Sequence, residues 1–275
     1  MKIVSTGATL ASEKFLEKKR RARKRKLTIF FSILVTLFIG AIFLLRSSVF
    51  RVRDVVVSGN EVIQSEDVSE GVMEILSGHY LYLIPKDSAF FYRSTAIKEG
   101  LQRKFPRFSL VEVSLSGLHT LDISVVEREP FAIYCETLSV SPCYFIDDTG
   151  FIFDAAPIFS EGVYLVYTQD VPLESPKDKE FMQRDEFWEL NEFISSLDRL
   201  QLEISTIEVG DRDITMNSKA GIEVLLRRDS NLGLTQANLE AFLSAQEIKS
   251  DPDFWNNVVR LDLRTENKVF YSFQQ

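Results

Sequence analysis

The sequence predicts an α+β protein: one N-terminal membrane-spanning helix, then a small β-α-α-β-β unit, then a larger, mainly antiparallel α+β domain with flanking helices. Three observations predict it. Leu27 to Leu45 is an uncharged apolar run. Apolar residues at helical spacing follow Ser65, and strict two-residue alternation begins at Val111. Further alternating runs separated by turns then continue to the end of the chain.

The nineteen residues Leu27–Leu45 would span roughly 28 Å as a helix, about the thickness of a bilayer's hydrocarbon core. Its small and polar interruptions are Thr28, Ser32, Thr36 and Gly40. The three hydroxyls can bond back to their own helix, so they cost little in lipid. Residues 1–26 carry ten Lys or Arg against Glu13 and Glu17, a net of +8. The whole chain is −8, so residues 27–275 sum to −16. This asymmetry predicts a cytoplasmic N-terminus and an external C-terminal part. A cleaved signal peptide would need a small-residue cleavage site, but Phe43-Leu44-Leu45-Arg46 closes the run, which favours a retained anchor. The basic block Lys18–Lys26 could read as a nucleic-acid patch; beside a span it is better read as membrane-flanking, and no nucleic-acid partner is expected. Residues 1–12, polar and aperiodic, read as a disordered tail.

Val52–Val57 is β-rich and stops at the turn Ser58-Gly59-Asn60. Ser65 is then predicted to cap a helix, with Glu66 and Asp67 in its first turn and Val68, Val72, Ile75 and Leu76 on one face. Gly78 stops it. A second helix is predicted from about Ser88 to Lys104, ending before Pro106. Val111, Val113 and Leu115 share one strand face, as do Leu121, Ile123 and Val125 beyond the turn at Ser116-Gly117. That order suits a small sheet with two helices on one face.

In the remainder, residues 181–200 form an amphipathic helix striped by Leu190, Phe193, Ile194 and Leu197. Ile204–Val209 and Ile222–Leu226 read as strands, and Thr235 or Ser230 is predicted to cap a helix running to about Ile248. Val259–Leu263 and Val269–Phe273 make the last strands around Thr265-Glu266-Asn267-Lys268. The two cysteines, Cys135 and Cys143, end and begin apolar runs across the turn-forming Glu136–Pro142. A disulfide and a pair of buried thiols both fit that pattern.

Chemistry has few footholds. His79 and His119 have no metal-ligand spacing and read as structural, and no phosphate loop, nucleophile elbow or dinucleotide fingerprint occurs, so neither catalysis, metal nor cofactor is expected. Asp148-Thr149-Gly150 matches the tripeptide of aspartic proteases, but those enzymes pair two copies and this chain has one. Asp and Gly are also what a hairpin turn prefers. A binding strand is the better candidate. Val269, Phe270, Tyr271, Ser272 and Phe273 are uncharged and aromatic; at a sheet edge they would accept a partner's strand, and at a covered position they would be core.

Several segments, in this order, resemble the FtsQ/DivIB family of bacterial cell-division proteins. They are Val55-Val56-Val57-Ser58-Gly59-Asn60; Gly78-His79-Tyr80-Leu81-Tyr82-Leu83-Ile84; Leu121 to Ala132 with its Glu127-Arg128-Glu129-Pro130; Tyr144 to Phe153; and Val259-Arg260-Leu261-Asp262-Leu263-Arg264. The Cys135–Cys143 loop and the acidic stretch near Pro172–Lys179 depart from the family's plan. The resemblance implies a basic cytoplasmic tail over 1–26, a span over 27–45, a POTRA domain over 50–128 and the family's β domain over 129–275. It implies an inner-membrane, single-pass divisome scaffold at the septum, without enzymatic activity. Implied partners are the bilayer and small bitopic division proteins of the FtsB/DivIC and FtsL types, with septal peptidoglycan synthases reached indirectly. The implied contact is Val269–Phe273. Two other readings compete: a POTRA-bearing export component, and an exported hydrolase using Asp148.

Overall fold

The structure, a computed structural model, describes residues 13–80, 84–137, 142–157, 162–251 and 253–274. The expectations for the tail at 1–12, for Leu81–Leu83 and for the centre of the Glu136–Pro142 turn lie outside those residues. The chain divides into two compact units. One comprises Met1–Ser58, Ile63–Lys98 and Glu112–Ser124; the other comprises Gly59–Val62, Glu99–Val111 and Val125–Gln275.

In the first unit, α1 (Glu13–Leu45) is one continuous helix that takes in both the basic block and the apolar run. Residues Glu17–Phe43 are long and apolar enough to cross a membrane, and no part of that window is covered by other protein. Thr28 and Thr36 donate their hydroxyls to the carbonyls of Lys24 and Ser32, both at 2.9 Å, so neither presents an unpaired donor to lipid. A single 3-10 turn (Ser48–Phe50) leads into β1 (Asp54–Ser58).

The next helix, α2 (Ser65–Ile75), buries Val68, Val72 and, just beyond its end, Leu76. Ser65 is its first helical residue, and the N-cap is Gln64, which makes no side-chain capping bond. An antiparallel pair of two-residue strands that periodicity could not reveal, β2 (His79–Tyr80) with β3 (Ile84–Pro85), precedes α3 (Ser94–Lys104). The helix predicted from Ser88 therefore begins six residues later. Val52 N–H donates to the Asp87 carbonyl and Ala89 N–H to that of Phe50, each at 2.8 Å, which draws residues 87–89 into an extended pairing before a helix can start. The strands β4 (Phe108–Ser116) and β5 (Thr120–Glu127) complete a three-stranded sheet ordered β1-β5-β4, with β1 parallel to β5.

In the second unit a ten-stranded sheet runs in the order β10-β8-β7-β6-β9-β11-β12-β13-β14-β15. Its strands are β6 (Ala132–Cys135), β7 (Cys143–Ile146), β8 (Phe151–Ala156), β9 (Val166–Gln169) and β10 (Lys179–Glu180), then β11 (Ile204–Val209), β12 (Asp213–Ser218), β13 (Glu223–Arg227), β14 (Val258–Thr265) and β15 (Lys268–Phe273). Six of the nine pairings are antiparallel. The parallel ones join β6 to β9, β9 to β11 and β13 to β14. Parallel neighbours need a crossover, and two of these pairs are bridged by helices. Helix α4 (Arg184–Arg199) links β9 to β11; α5 (Leu232–Leu243), α6 (Gln246–Lys249) and α7 (Phe254–Asn257) link β13 to β14. The cap of α5 is Asn231, whose Oδ1 accepts from Leu234 N–H at 2.9 Å, rather than Ser230 or Thr235. Thr235 instead turns its hydroxyl back to the Asn231 carbonyl.

The main core gathers Phe187, Leu190, Phe193, Ile194 and Leu197 of α4 with sheet residues such as Tyr167, Ile207, Val224 and Leu261. At about 25 cal/mol per Å² of apolar area removed from water, fully burying each such side chain stabilises by roughly 1.5–3 kcal/mol. Burial pushes the Tyr167 hydroxyl's pKa far upward, so it stays protonated and donates to Asn191 Oδ1 at 2.6 Å. A smaller cluster, Ile133, Cys135, Phe145 and Phe153, packs with Tyr164 and Val166.

Candidate partner-binding edge

The last strand, β15, stands at one end of the ten-stranded order and pairs with β14 alone among the described residues. Its register sets Phe273 opposite Val258, Ser272 opposite Arg260, Tyr271 opposite Leu261 and Phe270 opposite Asp262. Alternation then sorts the strand into two faces. Val269, Tyr271 and Phe273 look toward the helices; the Tyr271 ring lies 5.5 Å from Phe242 of α5, and Phe254 of α7 lies 5.7 Å from Tyr271 and 6.1 Å from Phe273. This aromatic bed holds the edge strand in place, yet its surface stays open. Phe270 is 53% exposed, Tyr271 42% and Phe273 44%; Ser272 is exposed and Val269 half-buried.

The opposite face carries Phe270 and Ser272 among ions. Arg260 pairs with Glu223, and Arg264 pairs with both Asp262 (2.6 Å) and Asp213 (3.1 Å). The Arg264 guanidinium holds the Asp262 carboxyl below the usual range. Phe270 is thus a single aromatic ring in a lattice of satisfied charges. The residues of the edge strand were visible in the sequence; Phe242, Phe254 and the Arg260–Asp262–Arg264 lattice were not, because only strand register and helix packing bring them to it.

The edge can add a strand. On an antiparallel edge, alternate N–H and C=O groups point away from the sheet, and no Pro or inward-facing charge blunts residues 269–273. Main-chain bonds would supply affinity and the exposed rings selectivity.

The other singled-out residues lie elsewhere. Cys135 and Cys143 face each other across β6 and β7, 4.3 Å apart at Cα, and are joined by a disulfide. That spacing is the short one of a non-hydrogen-bonded cross-strand pair. Asp148 sits exposed on the β7–β8 turn. Its neighbour Asp147 is the buried carboxylate: one oxygen accepts from Thr149 N–H (2.9 Å), Thr149 Oγ1 (2.7 Å) and Phe151 N–H (3.0 Å), and the other pairs with Arg128. Those bonds knot a turn. Gly150 closes it at φ +84°, where a Cβ would meet the Phe187 ring at 3.0 Å. His79 is exposed on β2, and His119 Nδ1 lies 3.1 Å from the Arg51 carbonyl oxygen. No group of three or more His, Cys, Asp or Glu side chains among the described residues is arranged to hold a metal ion.

No known family model matches this chain, and no curated protein matches it.

Proposed function

We propose that this protein is a non-enzymatic, membrane-anchored scaffold of the bacterial divisome, held in the inner membrane by α1 with its N-terminus inside, and working through partner binding on the outer side. The observation that carries the reading is β15: an aromatic strand at the end of its sheet, uncharged over Val269–Phe273 and with exposed rings, in a chain that also carries a helix long and apolar enough to cross a membrane. The motif order quoted above supports a cell-division role and the POTRA-like reading of residues 50–128. Under this reading the partners are small bitopic division proteins of the FtsB/DivIC and FtsL types. One of them lays an extended segment along Val269–Phe273, which links the scaffold to septal peptidoglycan synthases.

The test is capture of those partners by the detergent-solubilised full chain, with Phe270→Lys as the variant. Phe270 is not packed in the core, so the fold should survive the change while capture falls at least about tenfold, a loss of roughly 1.4 kcal/mol. Undiminished capture by a folded Phe270→Lys chain removes the edge-strand site. A fluorescent fusion at the N-terminus that spreads evenly around dividing cells, rather than gathering at midcell, removes the divisome role.

A further inference from the structure

A second exposed aromatic patch lies in the first unit. Phe90 is 60% exposed, Phe91 42% and Val49 52%. Phe91 and Tyr92 both donate their N–H groups to the Ser88 carbonyl at 2.9 Å, and this tight turn presents Phe90 and Phe91 outward.

Chain continuity says what covers them. Helix α1 reaches Leu45, and Arg46 N–H still bonds to the Ile42 carbonyl at 3.0 Å. Phe50 is five residues past Leu45, so even a fully extended chain leaves it within about 17 Å of the helix end. The aromatic turn is fastened to that point. Ala89 N–H donates to the Phe50 carbonyl and Val52 N–H to that of Asp87, Arg51 bridges to Ser88, and the Arg51 guanidinium grips Asp87 at 2.7 Å. The rings of Phe50 and Phe90 lie 5.2 Å apart. Arg46 and Arg93 are exposed and Lys86 is half-buried, each within four residues in sequence of Val49, Phe90 or Phe91. A bilayer interface accepts this combination, with rings entering the boundary between headgroups and acyl chains and cationic side chains meeting phosphates.

We propose that Phe90 and Phe91, with Val49, seat the first unit on the bilayer surface at the Leu45 end of α1. The span then acts as more than a flexible tether, because a second contact holds the rest of the same unit at the membrane. The proposal goes beyond the scaffold reading and does not depend on it.

The full chain, with its disulfide kept oxidised, is reconstituted in phosphatidylcholine–phosphatidylglycerol vesicles carrying a fluorescent thiol label at Phe90→Cys. Met73→Cys, on the exposed face of α2, serves as the water-facing reference. The expected result is strong quenching of the residue-90 label by shallow nitroxide lipids, and quenching by aqueous iodide at least about threefold weaker than at residue 73. Equal iodide quenching at the two positions overturns the proposal. So does protection that vanishes on dilution with excess lipid, since a second copy of the chain would then be the cover. In a second variant the label is moved to Val49→Cys, and Phe90→Ser with Phe91→Ser should raise its iodide quenching toward the residue-73 value. No change there shows that the rings do not hold the unit down, and overturns the proposal as well.

Discussion

Arg128 and Asp147 form a buried ion pair whose guanidinium also lies 4.2 Å over the Phe151 ring and donates from Nε to the Pro106 carbonyl at 3.1 Å. Their side chains are 17% and 5% exposed, so the Asp147 carboxylate in particular has little water to fall back on. The pair fastens the β7–β8 turn to the strand exit at Glu127–Arg128. Removing one partner strands the other.

Arg128→Met is therefore expected to destabilise the second unit by about 3–5 kcal/mol, read as a shift in urea midpoint. Adding Asp147→Asn to it should recover part of that loss, because the uncompensated carboxylate goes. An unchanged midpoint in the single variant contradicts the buried-pair account.

The turn at Ser58-Gly59-Asn60 depends on its glycine for two reasons. Gly59 has φ +81°, and a Cβ there would sit 2.2 Å from the Val125 carbonyl oxygen. Gly59→Ala should cost more than about 2 kcal/mol, since the backbone rather than a movable side chain is in the way. Gly117→Ala makes the comparison: φ is again positive, at +71°, but nothing lies within 4 Å, so its loss should be smaller. Thermal unfolding of the two variants checks the order.

The Cys135–Cys143 bridge closes a short loop, eight residues in sequence. Replacing both cysteines with Ser should lower stability by about 2–3 kcal/mol, most of it from greater freedom of the unfolded chain. Denaturation of the oxidised chain with and without reductant should show the same gap in the native protein and none in the double variant.

Asp154 carries a pH dependence. Burial alone would raise its carboxyl pKa, but the Ala155 N–H, Arg107 and Lys177 together outweigh burial and hold it below the usual value. A carboxyl depressed in the folded state contributes stability that is present above its unfolded pKa, near 3.9, and is lost as pH falls through the folded value. Stability should accordingly drop as pH falls from about 4, and Asp154→Asn should flatten that part of the profile. A native profile already flat in that range would refute it.

Phe270→Lys and Tyr271→Lys should differ in stability even though both sit on the edge strand. Phe270 stands among ions on the open face, so its replacement should move stability by no more than about 0.5 kcal/mol. Tyr271 packs on Phe242 and Phe254 and should cost about 1 kcal/mol or more. Chemical denaturation separates them, and equal losses would place Phe270 in a packed environment.

Much of the layout was legible because it rests on local rules. The Val68-Val72-Leu76 spacing of α2 and the Leu190-Phe193-Ile194-Leu197 stripe of α4 each occur where a periodic apolar face is buried, and the uncharged run from Leu27 is a helix apolar on every side and left uncovered by protein. Local rules failed where a non-local bond competed. The helix predicted from Ser88 starts at Ser94 because Phe50 and Val52 claim the backbone of residues 87–89. Strand β12 carries only two apolar residues, Ile214 and Met216, alternating with Asp213, Thr215 and Asn217, a run too short and polar to mark a core strand until its place between β11 and β13 buries them.

By itself, then, the sequence determined the apolar helix, the charge asymmetry about it, the α+β class and the aromatic character of Val269–Phe273. Those are properties of composition and period, which a chain carries before it folds. Only the tertiary structure decided that β15 ends the sheet, that Cys135 meets Cys143, that Arg128 finds Asp147 and that Phe90 and Phe91 turn outward. Each is a pairing between distant segments or a choice of which face is covered, and neither is encoded by the spacing of residues within one segment.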